Sequence, residues 1–146
     1  MSRVLVDSRW FPLLLQRWPN NVTDEDLDQF FPIIDDAARR AERENVVYAC
    51  VVLGPADLDV AQRRRVAKWV RNMPKELRHR NCGSFVVVAG PIQRGVITAL
   101  RWIVPELRDV YAVDSLDAGL QAAFSALRKN GVRPPATVGE IAAYVG

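Results

Sequence analysis

A single histidine and two cysteines in 146 residues leave little from which to build a metal site. Cys50 and Cys82 are far apart in the chain, neither belongs to a CxxC pair, and a structural zinc site needs about four such ligands. This scarcity argues against a metal and against a disulfide-dense miniprotein. Charge of one sign is also in short supply. Twenty basic residues, only Lys68, Lys75 and Lys129 of them lysine, face 17 acidic ones, and the resulting +3 is too small an excess to imply nucleic acid. No apolar run approaches the roughly 18 residues of a membrane span, and Met-Ser-Arg-Val-Leu-Val-Asp lacks the apolar stretch of a signal peptide. A cytoplasmic location is therefore expected.

What remains is an ordinary globular composition, 49% hydrophobic and 25% charged, at a length that suits one core. Val4 to Asp7 and Pro12 to Trp18 read as two short strands pairing antiparallel. Pro19-Asn20-Asn21 breaks the second. Thr23 is an N-cap, followed by three acidic residues where the helix dipole favours them, and Leu27, Phe30, Phe31, Ile34, Ala38 and Ala41 keep helical spacing to about Glu44. Pro32 must kink this helix or delay its regular part. Val46 to Leu53 is apolar without alternation, as in a strand covered on both faces, and Cys50 within it reads as a small buried thiol.

Asp59 and Gln62 have the spacing of a capping box opening a second helix, whose inward stripe is Val66, Trp69, Val70 and Met73 and which Pro74 stops or kinks. Gly83-Ser84 leads into a buried strand, Phe85 to Ala89. Pro91 starts a third helix ending before Pro105, Val110 to Val113 is a short strand, and Ser115 caps a fourth helix stopped by Asn130-Gly131. Past Pro134-Pro135, Thr137 and Glu140 can cap a short final helix. The expected organisation is one α/β domain over residues 1–133, with a mixed, mostly parallel sheet of about five strands and about four packing helices. Residues 134–146 are expected to form a helical appendage.

This order of elements resembles the STAS family, the anti-sigma factor antagonists of bacterial partner switching and the cytoplasmic domains of sulfate transporters. The resemblance covers roughly residues 12–129 and includes the run Val86-Val-Val-Ala-Gly-Pro-Ile-Gln-Arg-Gly, similar to the family's fourth strand and the start of its third helix. It implies docking onto a kinase, sigma regulator or scaffold rather than catalysis, with no cofactor. Where antagonists of the family carry an Asp-Ser-Ser-Gly-like phosphorylation motif, this chain reads Asp59-Val60-Ala61-Gln62. The hydroxyls are gone, so serine phosphorylation at that spot is chemically unavailable.

Arg64, Lys68, Arg71 and Lys75 recur at i, i+4, i+7 and i+11, a stripe of cations along the outer face of the second helix, and Arg65, Arg78, His79 and Arg80 add to it. Such a stripe is either a solvated face or a dock for an acidic protein. The family resemblance favours docking, because STAS domains dock largely through this helix and the loop before it, which brings in Asp59. No aromatic interleaving or DNA-reading motif accompanies the charge.

Gly90-Pro-Ile-Gln-Arg-Gly95 sits where a phosphate loop would, yet Val96-Ile97 replace the lysine and hydroxyl that such a loop needs. Arg94 with helix N–H groups could still hold a small anion. Asp57, Asp59 and Asp114 follow strand ends, where open α/β sheets bind ligands. Trp102, beside Arg101 and Thr98 on the outer side of the third helix, marks a second docking surface or a homodimer contact. The expectation is thus a non-enzymatic interaction module docking an acidic partner through its basic second helix. The alternatives are a small-anion or lipid-like ligand binder, or an unrecognised enzyme, at the strand C-terminal ends near Arg94.

Overall fold

The computed structural model describes residues 4–54, 58–88 and 109–145, with Gly90, Pro91 and Gly95. Among these residues the strands are β1 (Leu5–Asp7), β2 (Leu13–Arg17), β3 (Tyr48–Leu53), β4 (Asn81–Val87) and β5 (Val110–Val113). The helices are α1 (Asp24–Glu44), α2 (Val60–Asn72), the single turn α3 (Lys75–Arg78), α4 (Leu116–Lys129) and α5 (Val138–Val145). The strands form one sheet in chain order, β1-β2-β3-β4-β5. Only β1 and β2 pair antiparallel, and each later pair is parallel. This is the α/β class expected from the alternation of apolar runs and helical stripes.

The central strand shows why the sheet must be layered on both sides. Tyr48 to Val52 are all buried, and alternate side chains enter two different cores. Ala49 and Val51 join Leu13, Leu15 and Phe85 against Leu120, Ala123, Phe124 and Leu127 of α4. Tyr48 and Cys50 join Leu14 on the opposite face, against Phe30, Ile34, Ala38 and Ala41 of α1. A strand with two apolar faces is stable only when both are covered. Gly119 brings α4 close to the strands, since a Cβ there would lie 3.3 Å from methyls of both Val51 and Val113. Gly54 ends β3 with φ +101°, and a Cβ at that position would clash with the Trp18 carbonyl oxygen.

The caps follow the side-chain chemistry at each helix start. Thr23 and Asp26 form a reciprocal capping box, and so do Asp59 and Gln62. The Ser115 hydroxyl accepts from the Ala118 N–H, and Thr137 and Glu140 bond reciprocally ahead of α5. α1 runs unbroken through Pro32, which lies on its solvent side, where water can serve the carbonyl left without a helix donor.

Three expectations need correcting. β4 begins at Asn81 rather than Phe85, because Asn81, Gly83 and Ser84 pair with Tyr48, Ala49 and Cys50 of β3. α3 forms after Pro74, so Lys75 starts a separate turn instead of extending the stripe of α2. The C-terminal helix is no appendage. Ile141 is fully buried in the core beneath α4, Tyr144 meets Trp10 edge to face at 5.8 Å, and the Arg17 guanidinium donates to the Val145 carbonyl. Of the third helix expected between Pro91 and Pro105, Pro91 and Gly95 are described and both are helical; the rest lies outside the described residues.

Replacing a fully buried aliphatic side chain by alanine costs about 2–5 kcal/mol. Ile141→Ala is expected to fall in that range by chemical denaturation. A loss below about 1 kcal/mol would mean that α5 is dispensable to the core.

Candidate docking face and the hollow beneath it

α2 is positioned chiefly by its neighbour α1. At its start the buried Gln62 both closes the capping box and donates from its side-chain amide to the Val22 carbonyl just before α1. One turn further, Arg65 reaches Asp24 and Asp28 of α1. Next, Trp69 stacks on Phe31 at 4.7 Å and donates its indole N–H to the Asp35 carboxylate at 3.1 Å. These contacts advance in the same direction along both helices, so α1 and α2 lie side by side and parallel.

The side chains of α2 divide into three groups. Arg65 and Trp69 hold α1. Val66, Val70 and Met73, all half-buried, face a hollow of about 240 Å³ above the sheet. Arg63, Arg64, Lys68 and Arg71 are exposed, and Val60 in the first turn is 59% exposed. α2 carries five cations and no acid, whereas the eight acids and three arginines of α1 leave that helix at −5. Among the described residues, Arg64 and Lys68 have no ion-pair partner.

The remaining candidates are placed as follows. The Asp59 carboxylate accepts from the Gln62 N–H, so it serves the helix cap rather than a partner. Arg65 is committed to α1, which removes it from the docking stripe. Lys75 is exposed on α3. Asp114 is exposed beyond β5, away from the hollow. Asp57, Arg94 and Trp102 lie outside the described residues. Trp10 and Trp18 serve packing, since Trp10 sits against the α5 core and Trp18 tilts over Phe30 at 4.8 Å. Among the described residues there is no group of three or more His, Cys, Asp or Glu placed to hold a metal ion. No helix among them is long and apolar enough to cross a membrane.

The floor of the hollow carries a polar row that apolar patterning concealed. Gln16, Cys50 and Ser84 lie on adjacent strands and all line the hollow. Gln16 accepts from the Trp18 indole, and Ser84 accepts from Asn81. The interruption of Leu13-Leu-Leu by Gln16 was its only trace in the sequence. Burial pushes the Cys50 thiol up to about 12, against the smaller opposing effect of its bonds to Gln16 and Ser84. Burial likewise pushes Cys82 up to about 11. Neither thiol has the lowered pKa of an activated nucleophile.

The chain matches no protein-family model, no curated protein and no solved structure.

Two measurements check this arrangement. Trp69→Ala is expected to cost about 3 kcal/mol, the lower end for a core aromatic because one side of the indole borders the hollow. A loss under about 1 kcal/mol would show that the contact with Phe31 and Asp35 does not hold α2. The thiols set a pH limit as well. An unfolded thiol ionises near 9, before either folded one, so stability is full below that pH and declines as pH rises towards 11 and 12. Denaturation midpoints between about pH 8 and 11 test this, since a thiol of ordinary pKa adds no such decline.

Proposed function

We propose that this chain is a non-enzymatic interaction module that docks an acidic partner through the outer face of α2. The carrying observation is the exposed set Arg64, Lys68 and Arg71 on a helix with no acidic residue, while a fourth cation, Arg65, is consumed by α1. Like charges at helical spacing oppose the isolated helix by a few tenths of a kcal/mol per pair. A partner that neutralises them offsets this, and complementary charge accelerates encounter and selects among partners. Val60, exposed in the first turn, adds an apolar contact at the edge of the same face.

The resemblance to STAS domains supports the same reading. One antiparallel pair opens the sheet, parallel strands follow in sequence order, and α2 starts from an aspartate cap after β3. Val60 and Ala61 occupy the first turn where antagonists of that family carry serines, so docking here is not switched by phosphorylation at these two positions. The reading extends to a role in bacterial cytoplasmic regulation or scaffolding. A ligand site built from Asp59 and Asp114 has less support, because neither residue lines the hollow.

The test is reversal of Arg64, Lys68 and Arg71 to Glu. Capture of the protein's cellular partner is expected to be lost and the melting temperature nearly kept, because exposed charges contribute little to folding. In the unaltered chain the association rate is expected to fall as salt rises. Undiminished capture by the reversed chain would reduce the stripe to a solvated face.

A further inference from the structure

The hollow beneath α2 is a second site, independent of the basic face above it. We infer that it binds a small, uncharged, apolar molecule carrying a carbonyl oxygen, which accepts a hydrogen bond from the Tyr48 hydroxyl. At about 240 Å³ the hollow is far larger than the water-sized voids of a packed core. An apolar cavity of about 150 Å³ already holds benzene, so this one has room for roughly ten non-hydrogen atoms. Phe30 and Ile34 of α1, Val66, Val70 and Met73 of α2 and Val86 of β4 give it apolar walls.

The polar side chains lining it divide into those already served and those left over. Asn81 spends its amide on the Ser84 hydroxyl and the Gly83 N–H. Gln16, 6% exposed, gives its oxygen to the Trp18 indole, and its amide N–H groups meet no oxygen acceptor among the described residues. Tyr48 is 1% exposed, and its hydroxyl makes no hydrogen bond among the described residues. Among those residues the sealed polar side-chain atom without a partner is the Trp10 indole nitrogen, in the opposite core. The Tyr48 oxygen is therefore not sealed, and it opens on the hollow that its residue lines. A buried donor without an acceptor costs free energy, which a ligand carbonyl recovers.

The groups left over are donors, so the ligand supplies an acceptor, and the surrounding charges make it a neutral one. Burial above all, with Cys50, Asp35 and Cys82 adding to it, holds the Tyr48 phenol in its uncharged form. The two charged residues that line the hollow among the described ones, Arg78 and Asp109, are half-buried and opposite in sign. A carboxylate entering here would meet Asp109 as well as Arg78 and would approach Asp35, leaving its loss of hydration without net compensation.

Calorimetric titration of the full chain with acetophenone, isopropylbenzene and benzoate tests this. The three have the same number of non-hydrogen atoms and differ in carrying a carbonyl, no polar group and a charge. Acetophenone is expected to bind roughly two- to tenfold more tightly than isopropylbenzene, the ratio that one net hydrogen bond gives, and benzoate more weakly than either. In Tyr48→Phe the two uncharged compounds are expected to bind equally, with the melting temperature kept or raised, because the hydroxyl removed had no partner. Val70→Phe, which fills the hollow, is expected to bind neither. Circular dichroism confirms folding. Should the filled variant not fold, shifts of the Val66, Val70 and Met73 methyl resonances on adding acetophenone to the unaltered chain locate the compound instead.

Failure of acetophenone to bind up to its solubility, methyl resonances that stay fixed, or full binding by Val70→Phe would each overturn the site. Tighter binding of benzoate, equal binding of isopropylbenzene by the unaltered chain, or a preference for acetophenone kept by Tyr48→Phe would each overturn the carbonyl assignment. None of these outcomes bears on the docking reading of α2, whose test is the reversal of its exposed cations.

Discussion

The structure depends on β3 being apolar on both faces. Ala49 and Val51 are satisfied by α4 on one side, Tyr48 and Cys50 by α1 on the other, and neither layer alone could keep the strand out of water. From this follows the placing of α1 and α4 on opposite faces of the sheet. The tail is recruited by the same requirement, because Ile141 of α5 completes the core that begins at Leu13 and Leu15. Burial of this kind is non-directional, so it determines which segments pack together without prescribing a surface chemistry.

The surface chemistry comes from a second kind of contact. α2 is tied to α1 by a guanidinium on two carboxylates, an indole on a phenyl ring and a carboxylate, and an amide on a carbonyl. These ties use the flank of α2 that faces α1, which leaves Arg64 and Lys68 without an ion-pair partner among the described residues. Opposite net charge on two adjacent helices stabilises their contact modestly in water.

Local features were the most legible in the amino-acid order. Thr23, Asp59, Ser115 and Thr137 were readable as caps because an N-cap bonds within three residues of itself. The unalternated run ending at Leu53 was readable as a central strand for the same reason of locality. Asn81 to Ser84 were not readable as strand, since asparagine, glycine and serine favour turns and only pairing with β3 overrides that preference. The docking stripe was partly legible. Arg64, Lys68 and Arg71 follow from helical period, whereas the diversion of Arg65 to α1 and the interruption before Lys75 do not.

The α/β class, the positions of the caps and the cationic face of α2 were written in the amino-acid order, because each rests on residues a few positions apart. Packing of the whole chain was needed to show that α5 belongs to the core, that Gln16, Cys50 and Ser84 meet on the floor of the hollow, and that an acidic helix lies beside a basic one. Each of these brings together residues tens of positions apart. Such encounters are set by the packing of whole layers, in which a side chain's neighbours are chosen by burial and register rather than by distance along the chain.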